Sequence, residues 1–352
     1  MSRSRPRSAL PLAALLLLLC TAACSPLYVL KAGIAQARIL AAREPLDEVI
    51  LDPDTDPEVR GKLTLVAEAR GFARDALQLD VGESYTSFAQ LPSDTLALVL
   101  SAAYRDRFAP RTWWFPVVGR VPYRGFFDEG DAEAARAELE DEGYDTLLRP
   151  TSAFSTLGWF ADPLMSTLLR YDHVELVETV IHELSHNHLF VPGQVRFNES
   201  WATFVGRVGA IEFFCGRPGG GPDTVWCARA EARWRDARRW STFVDALITE
   251  LQAVYTDPAL DYDGKMVRRE EVYAQHRARF RTEVEPELES LRFGGFLDAP
   301  LNNAVLLGQM RYYHRLEDFE RWRVEHGSLA SAVAQLVAGV ADVDDPFSLL
   351  GR

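Results

Sequence analysis

His182 and His186, with Glu183 between them, form the pattern HELSH, whose residue types and spacing suit metal-dependent hydrolysis. Residues four apart on an α-helix share one side and lie about 6 Å apart along the axis, so both imidazoles can reach one ion. Zinc binds imidazole nitrogen at ~2.0–2.1 Å. Glu183 lies one position round the helix, where its carboxylate can accept a proton from water on the ion. The pattern therefore predicts a catalytic Zn²⁺ site that activates water against a peptide carbonyl, with Glu183 as acid and base.

A catalytic zinc needs a third protein ligand and an open position, and two downstream residues compete for that role. His188 follows His186 by two residues, about 200° round a helix, and therefore points away from the ion unless the helix ends first. Glu199 is 13 residues beyond His186 (199 − 186), after a Val-Pro-Gly turn and at the start of a second helical segment. We expect Glu199 to be the third ligand and His188 to be a structural histidine or one at the rim of the site. Asn198 is expected either to cap the second helix or to orient a neighbouring group.

Peptide hydrolysis also needs a donor for the oxyanion that forms as water adds to the carbonyl. Tyr312, Tyr313 and His314 form a cluster of phenol and imidazole groups near the C-terminal end. Each of them could instead pack on an amphipathic helix, and the sequence leaves that alternative open. All three therefore remain candidate catalytic residues, together with Glu183.

Two consecutive predicted helices position the candidate ligands. The first spans about 174–189 and carries apolar residues on its other side, and the second starts near residue 197 and runs to a Gly-rich loop. Further helices are predicted at 27–50, 55–79 and 131–145, as an antiparallel pair over 228–291 with a break at 255–265, and as two or three helices over 301–340.

Aromatic, β-branched and Pro/Gly residues predict short strands over 111–128 and an extended segment over 147–164. At the end of that segment, Asp162 and Pro163 are expected to be the N-cap and first residue of a helix. The predicted fold is α+β and predominantly helical, a single domain over 24–352 with a small sheet.

The N-terminal residues predict a lipoprotein-type signal peptide over 1–23. Three arginines precede the apolar run 9–19, which is too short to span a bilayer comfortably. Small residues then lead to Cys24, as at the acylated cysteine of bacterial lipoproteins. Plain cleavage to an exported soluble protein is the alternative. We expect a lipid anchor on Cys24 that holds the chain in the bacterial cell envelope, with the outer membrane favoured, facing the periplasm or the surface.

The remaining cysteines and the charge fit an exported protein that does not bind nucleic acid. Cys215 and Cys227 flank a Gly/Pro-rich loop, so an oxidising compartment favours a disulfide between them, with two free buried thiols as the alternative. The 352 residues carry a net charge of −13, and the estimated pI is about 5.1. A chain this acidic has no general attraction for nucleic acid.

The order of several sequence blocks resembles the bacterial putative aminopeptidase family, a group of exported, often lipoprotein-like proteins within the gluzincin-type zinc peptidases. The blocks are HELSHNHLFVPGQVRFNESWATF at 182–204, RTWWFPVVGRVPYRGFFD at 111–128, AFSTLGWFADPL at 153–164 and LNNAVLL…YYH over 301–314. The resemblance implies a zincin-like core, zinc bound by His182, His186 and Glu199, and Glu183 as acid and base. It also implies that AFSTLGWF is an edge strand able to pair with an extended substrate.

Two departures from that family pattern concern residues outside the ligand set. Family members often have cysteines where this chain has Trp114 and Arg120, so a cross-link is absent there. Thr203 stands in the region where related peptidases have a second acid.

Two functions from different classes fit these features. The first is a zinc-dependent peptidase, with aminopeptidase activity as one form of it and a peptide as substrate. The second is a non-catalytic, zinc-stabilised envelope lipoprotein that binds peptides or envelope components. Glu183 favours the first, because a purely structural site needs no general base. An aminopeptidase also needs an acidic group for the substrate's ammonium, and the sequence has no GxMEN-type block for it.

Overall fold

The fold is α+β and 64% helical, which confirms the predicted class. The computed structural model describes residues 40–91, 97–115, 119–126, 128–151, 162–298 and 300–351. The predicted signal peptide 1–23, Cys24 and the predicted edge strand 153–160 lie outside the described residues.

Helices α1 to α11 account for most of the described chain. They are Leu46–Leu51, Pro57–Asp75, Glu129–Asp141, His173–His188, Val195–Gly216, Val225–Thr256, Tyr262–Arg279, Gly295–Asp298, Asn303–Tyr312, Leu316–His326 and Leu329–Gly339. Among these helices, none combines the length and the apolar character needed to cross a membrane.

Eight short strands form three small sheets in the described residues. Strands β1 to β8 are Arg43–Pro45, Ser87–Ala89, Ala97–Ala103, Trp113–Phe115, Gly119–Val121, Arg124–Phe126, Asp145–Thr151 and Leu164–Met165. The sheet orders are β1-β2-β8, β6-β3-β7 and β4-β5. Only β2 and β8 pair in parallel; the other pairings are antiparallel. The predicted strands of 111–128 are confirmed as β4, β5 and β6, and Trp114 lies directly opposite Arg120 in the β4-β5 pair.

Acidic N-caps begin two helices of the largest core, α2 and α4. The Asp56 side chain accepts hydrogen bonds from the first turn of α2, and Pro57 is its first residue. The Asp172 side chain does the same for α4, accepting from the backbone N–H groups of Val174 and Glu175. The expectation of a helix at Asp162–Pro163 is wrong, because β8 and a 3₁₀ turn over 166–170 follow it and α4 starts only at residue 173. Likewise, the helix predicted over 27–50 is interrupted in its described part by β1.

Helices α4 and α5 form an antiparallel hairpin at the centre of the largest hydrophobic core. Phe197, Trp201 and Phe204 of α5 are fully buried there, and so are the apolar residues of α4. Helices α2 and α6 pack on either side of this pair, and α10, α11 and the C-terminal turn close the core. The hairpin is therefore held by apolar burial along its whole length, which fixes the side chains it directs elsewhere.

A buried polar cluster joins the β6-β3-β7 sheet to α7 and α9. Asp145, at the start of β7, accepts from Arg269 Nη1 at 2.8 Å and from the Asn303 backbone N–H at 2.9 Å. Asn303 Oδ1 also accepts from the hydroxyl groups of Tyr255 and Tyr273. Because α9 begins at Asn303, this cluster sets where its other end, Tyr312, comes to lie.

A disulfide joins Cys215, in the last turn of α5, to Cys227, in the first turn of α6. The predicted cross-link over the Gly-rich loop is present. It closes the connection between two core helices, and it leaves neither thiol free to bind a metal.

Candidate functional site

Three predicted ligands come together on facing sides of the α4-α5 hairpin. His182 and His186 lie one turn apart on α4, with ring centroids 5.0 Å apart. Glu199, in the second turn of α5, faces both rings, and one donor atom from each of the three residues lies within 4.8 Å of the others. Within the described residues, this is the one cluster of potential metal ligands that does not involve the disulfide.

The separations of these donor atoms fit a shared ion better than hydrogen bonds. Glu199 Oε2 is 3.4 Å from His182 Nε2 and 3.7 Å from His186 Nε2. An N–H···O hydrogen bond is usually about 2.9–3.0 Å. Two ligands bound to a tetrahedral zinc at ~2.0–2.1 Å lie about 3.4 Å apart, which is close to both distances. Two imidazoles and a carboxylate are also ligand types that zinc prefers, so the residues present fit the ion.

Glu199 and His186 also shift each other's protonation. Burial alone would raise the pKa of Glu199, but the neighbouring His182 and His186 outweigh it and hold that pKa well below its usual range. Burial would lower the pKa of His186, yet Glu199 raises it overall. The cluster therefore attracts a positive charge, which a proton or a metal cation can supply.

The turn between α4 and α5 is clamped by Asn198. Its side-chain Nδ2 donates to the Val191 carbonyl at 2.8 Å, and its Oδ1 accepts from the Val191 N–H at 2.9 Å. Asn198 is thus inside α5 and orients the preceding turn, while Gln194 occupies the N-cap position. The clamp fixes the first turn of α5 against the end of α4, and with it Glu199 next in sequence.

His188 is directed away from the ligand cluster, as expected from its position on the helix. Its Nδ1 accepts a hydrogen bond from the Asp80 backbone N–H at 3.0 Å. Burial lowers the pKa of His188, which suits an imidazole that accepts this bond in its neutral form. Its role is to hold the loop after α2 against the end of α4.

The two helices approach each other closely at Gly206, two turns after Glu199 on the same side of α5. A Cβ atom placed there would lie 2.5 Å from the Glu178 carbonyl oxygen and 3.0 Å from the His182 Cβ. No side chain fits in that space. Gly206 therefore lets α5 approach the α4 backbone at the turn that carries His182.

An open cavity of about 270 Å³ lies beside the candidate ligands and is lined by one of them, His182. Glu183 and His182 line it from α4, and Tyr312 lines it from the end of α9. The Tyr312 ring centroid is 6.1 Å from that of His182. Burial, and next the charge of Glu199, raise the pKa of Tyr312 well above its ordinary value, so its hydroxyl remains a hydrogen-bond donor.

The structure separates the other two candidates of the C-terminal cluster. Tyr313 also lines the cavity, and its hydroxyl lies 3.5 Å from Arg207 Nη2. His314 turns to the other side, where its Nδ1 is 2.6 Å from Asp245 Oδ1 and its ring packs on Phe347. His314 is not among the residues that line the cavity. Of the three, Tyr312 is the one placed beside the ligands.

Sequence reasoning did not anticipate a buried ion cluster at the inner wall of this cavity. Glu178, one turn before His182, accepts from Arg233 Nη2 at 2.7 Å and lies 3.3 Å from Arg207 Nη1. All three residues are less than a tenth exposed. Arg207 is on α5 and Arg233 on α6. The sequence shows no regular spacing that links them to Glu178 on α4, so their pairing could not be predicted.

Tyr85 is a second residue that the sequence pattern did not indicate. It is buried, has a left-handed backbone conformation with φ of 60°, and donates its N–H to the Asp162 carbonyl at 2.9 Å. Burial, then the charge of Glu183, raises its pKa. A strained, buried tyrosine close to the candidate general base is a common feature of functional sites.

Comparison with known proteins gives one match. The family model described as "Putative aminopeptidase" matches residues 27–345, which is most of the chain. Searches of the curated proteins and of the solved structures returned no match. The matched residues include the α4-α5 hairpin, the three sheets and helices α9 to α11. The chain belongs to the Putative aminopeptidase family.

Proposed function

We propose that this protein is a zinc-dependent peptidase of the gluzincin type, with a zincin-like core in a single domain over 24–352. The observation that carries the proposal is the convergence of His182, His186 and Glu199 at separations that suit one tetrahedral ion, at the edge of an open cavity. Membership of a family named for aminopeptidase activity supports hydrolysis of peptides.

In this proposal each of the chain's own residues has a defined task. A zinc ion bound by the three ligands would supply Lewis acidity, polarising a substrate carbonyl and lowering the pKa of water. Glu183 accepts the proton of the attacking water and later delivers it to the leaving amine. Tyr312, protonated at neutral pH, donates a hydrogen bond to the oxyanion as it forms. The cavity beside them receives the peptide.

Zinc analysis of the purified chain tests the metal site. We expect about one zinc per chain in the wild type and loss of it in His186→Ala. His188→Ala is the matched control, because this histidine is on the same helix but bonds Asp80, so it should retain zinc. Wild-type protein that contains no zinc after purification without chelators, and takes up none when it is added, would contradict the proposal.

Hydrolysis of a peptide library tests catalysis. Glu183→Gln should keep zinc and lose cleavage, and Tyr312→Phe should lower kcat by about 10²–10³ because it removes one oxyanion donor. A zinc-loaded wild type that cleaves nothing would favour the alternative, a non-catalytic lipoprotein in which zinc only stabilises a binding fold.

The proposal also includes export and anchoring, which rest on residues 1–24. The lipoprotein-type signal and Cys24 support a lipid anchor in the cell envelope. Metabolic labelling with palmitate should mark the wild type and not Cys24→Ala. A wild type recovered unlabelled in the soluble fraction would instead support plain cleavage and release.

A further inference from the structure

We propose that the Glu175 carboxylate is a binding subsite for a primary ammonium group of the peptide substrate, either a free amino terminus or a lysine side chain. This inference rests on the proposed peptidase function. Neither the family match nor the metal-ligand pattern assigns a role to Glu175.

Glu175 shares a helix side and a cavity with the candidate catalytic residues. It lies seven residues before His182, so the two are two turns apart on α4, separated by about 10.5 Å along the axis. Both line the 270 Å³ cavity, together with Glu183. A peptide in this cavity can therefore contact Glu175 with one group while another lies next to His182.

Within the described residues, the carboxylate of Glu175 makes no hydrogen bond or ion pair that would explain its position. It is the third residue of α4 after the N-cap Asp172, where a glutamate often returns its side chain to the N-cap N–H. Within the described part of the chain, Glu175 does not make this bond. Its backbone N–H donates to Asp172 Oδ1, and its backbone carbonyl accepts from the Thr179 hydroxyl. The group is half-buried and faces the cavity instead.

The charged neighbours of Glu175 are already engaged with other partners. Arg233 makes its closest bonds to Glu178, which Arg207 also contacts, and Arg229 pairs with Asp172. Burial raises the pKa of Glu175. The charges of Arg233 and Arg207 partly oppose this, and those of Asp172 and Glu178 add to it. Among the described residues Glu175 has no direct counter-ion, and a half-buried carboxylate gains from a ligand that brings one. A primary ammonium can supply it, because every peptide with an unblocked amino terminus carries one.

Binding of short peptides to zinc-loaded protein tests the subsite. The measurement uses the Glu183→Gln background, in which hydrolysis should not interfere, and three probes: a tetrapeptide amide with a free amino terminus, its N-acetyl form, and an N-acetyl form with lysine at the first position. We expect one or both ammonium-bearing peptides to bind about tenfold more tightly than the neutral one, and the Glu175→Gln change to remove that difference. Whichever of these two peptides has the higher affinity identifies the source of the ammonium group.

Glu212→Gln is the matched control, because Glu212 is also half-buried with a raised pKa but lies outside the cavity. It should leave all three affinities unchanged. Equal affinity for all probes, or an equal loss for all of them in Glu175→Gln, would overturn the inference. Since binding is measured, a chain that hydrolyses nothing can still show the ammonium preference, so failure of catalysis and failure of the subsite give different results.

Discussion

Replacing Gly206 by alanine tests whether the close approach of α4 and α5 sets the geometry of the ligands. The added Cβ would meet the Glu178 carbonyl oxygen at 2.5 Å and the His182 backbone nitrogen at 3.2 Å. Carbon–oxygen contacts are ordinarily no shorter than about 3.3 Å, so the helices must separate by about 0.8 Å at this turn. His182 is attached to the turn that would be pushed away from α5, which carries Glu199.

The expected effects on stability and on metal binding differ in size. Overpacking costs ~1–3 kcal/mol, and the better helix propensity of alanine offsets about 1 kcal/mol of it. The midpoint of thermal unfolding should therefore fall by only about 2–4 °C. Metal ligands, however, tolerate displacements of about 0.2 Å. A shift of about 0.8 Å should weaken zinc binding at least about tenfold, measured by competition with a chromophoric chelator.

Gly71→Ala provides the control, because Gly71 lies within α2 and a Cβ there meets nothing within 4 Å. It should raise the unfolding midpoint slightly and leave zinc affinity unchanged. If Gly206→Ala binds zinc as tightly as Gly71→Ala, the close approach does not determine the separation of His182 and Glu199, and the reasoning is refuted.

Three further predictions concern groups around the site and the fold. Asn198→Ala should lower stability by about 1–3 kcal/mol in thermal unfolding, because it leaves both backbone groups of Val191 without their clamp; Asn198→Asp, which keeps the acceptor, should lose less. Glu178→Gln should destabilise the fold by about 3–5 kcal/mol, since it leaves two buried arginines without their anion, and a soluble variant with an unchanged unfolding midpoint would refute this. Hydrogen bonds from two arginines of α6 lower the pKa of Glu289 to about 2, so its contribution to stability is present above its unfolded pKa and is lost as the pH falls towards 2. The difference in unfolding midpoint between wild type and Glu289→Gln should therefore shrink over that pH range. A constant difference would contradict this prediction.

The ligand hairpin was accessible from sequence because two regular signals coincide there. The four-residue spacing of His182 and His186 fixes their common side, and the apolar residues of both helices fix which side is buried. The interval of 13 residues to Glu199 leaves room for one short turn, so Glu199 could be preferred to His188 as the candidate third ligand. Local periodicity was sufficient at each step.

Contacts between segments that are distant in sequence could not be predicted in the same way. The sequence gives no reason to prefer one of the adjacent ring-bearing residues Tyr312, Tyr313 and His314. His314 is directed away from the cavity because the end of α9 contacts α5 and α6, where His314 bonds Ser200 and Asp245. Strand β3 was missed, although the apolar run ALVLSAA at Ala97–Ala103 is typical of a buried strand. Asp162 and Pro163 have the chemistry of a helix start, but pairing of the next residues with β2 overrides that preference.

The length of chain between the site's components also determines the order in which the site can assemble. His186 and Glu199 are separated by one short turn, whereas Tyr312 follows Glu199 by 113 residues (312 − 199). Closing the longer interval costs about 2 kcal/mol more in chain entropy than closing the shorter one, because the cost grows with the logarithm of length. The ligand hairpin can therefore form from a nascent or partly folded chain before α9 arrives. A cation captured at that stage would act as a folding nucleus, and metal supply during biogenesis would then influence how much of the chain reaches the native state.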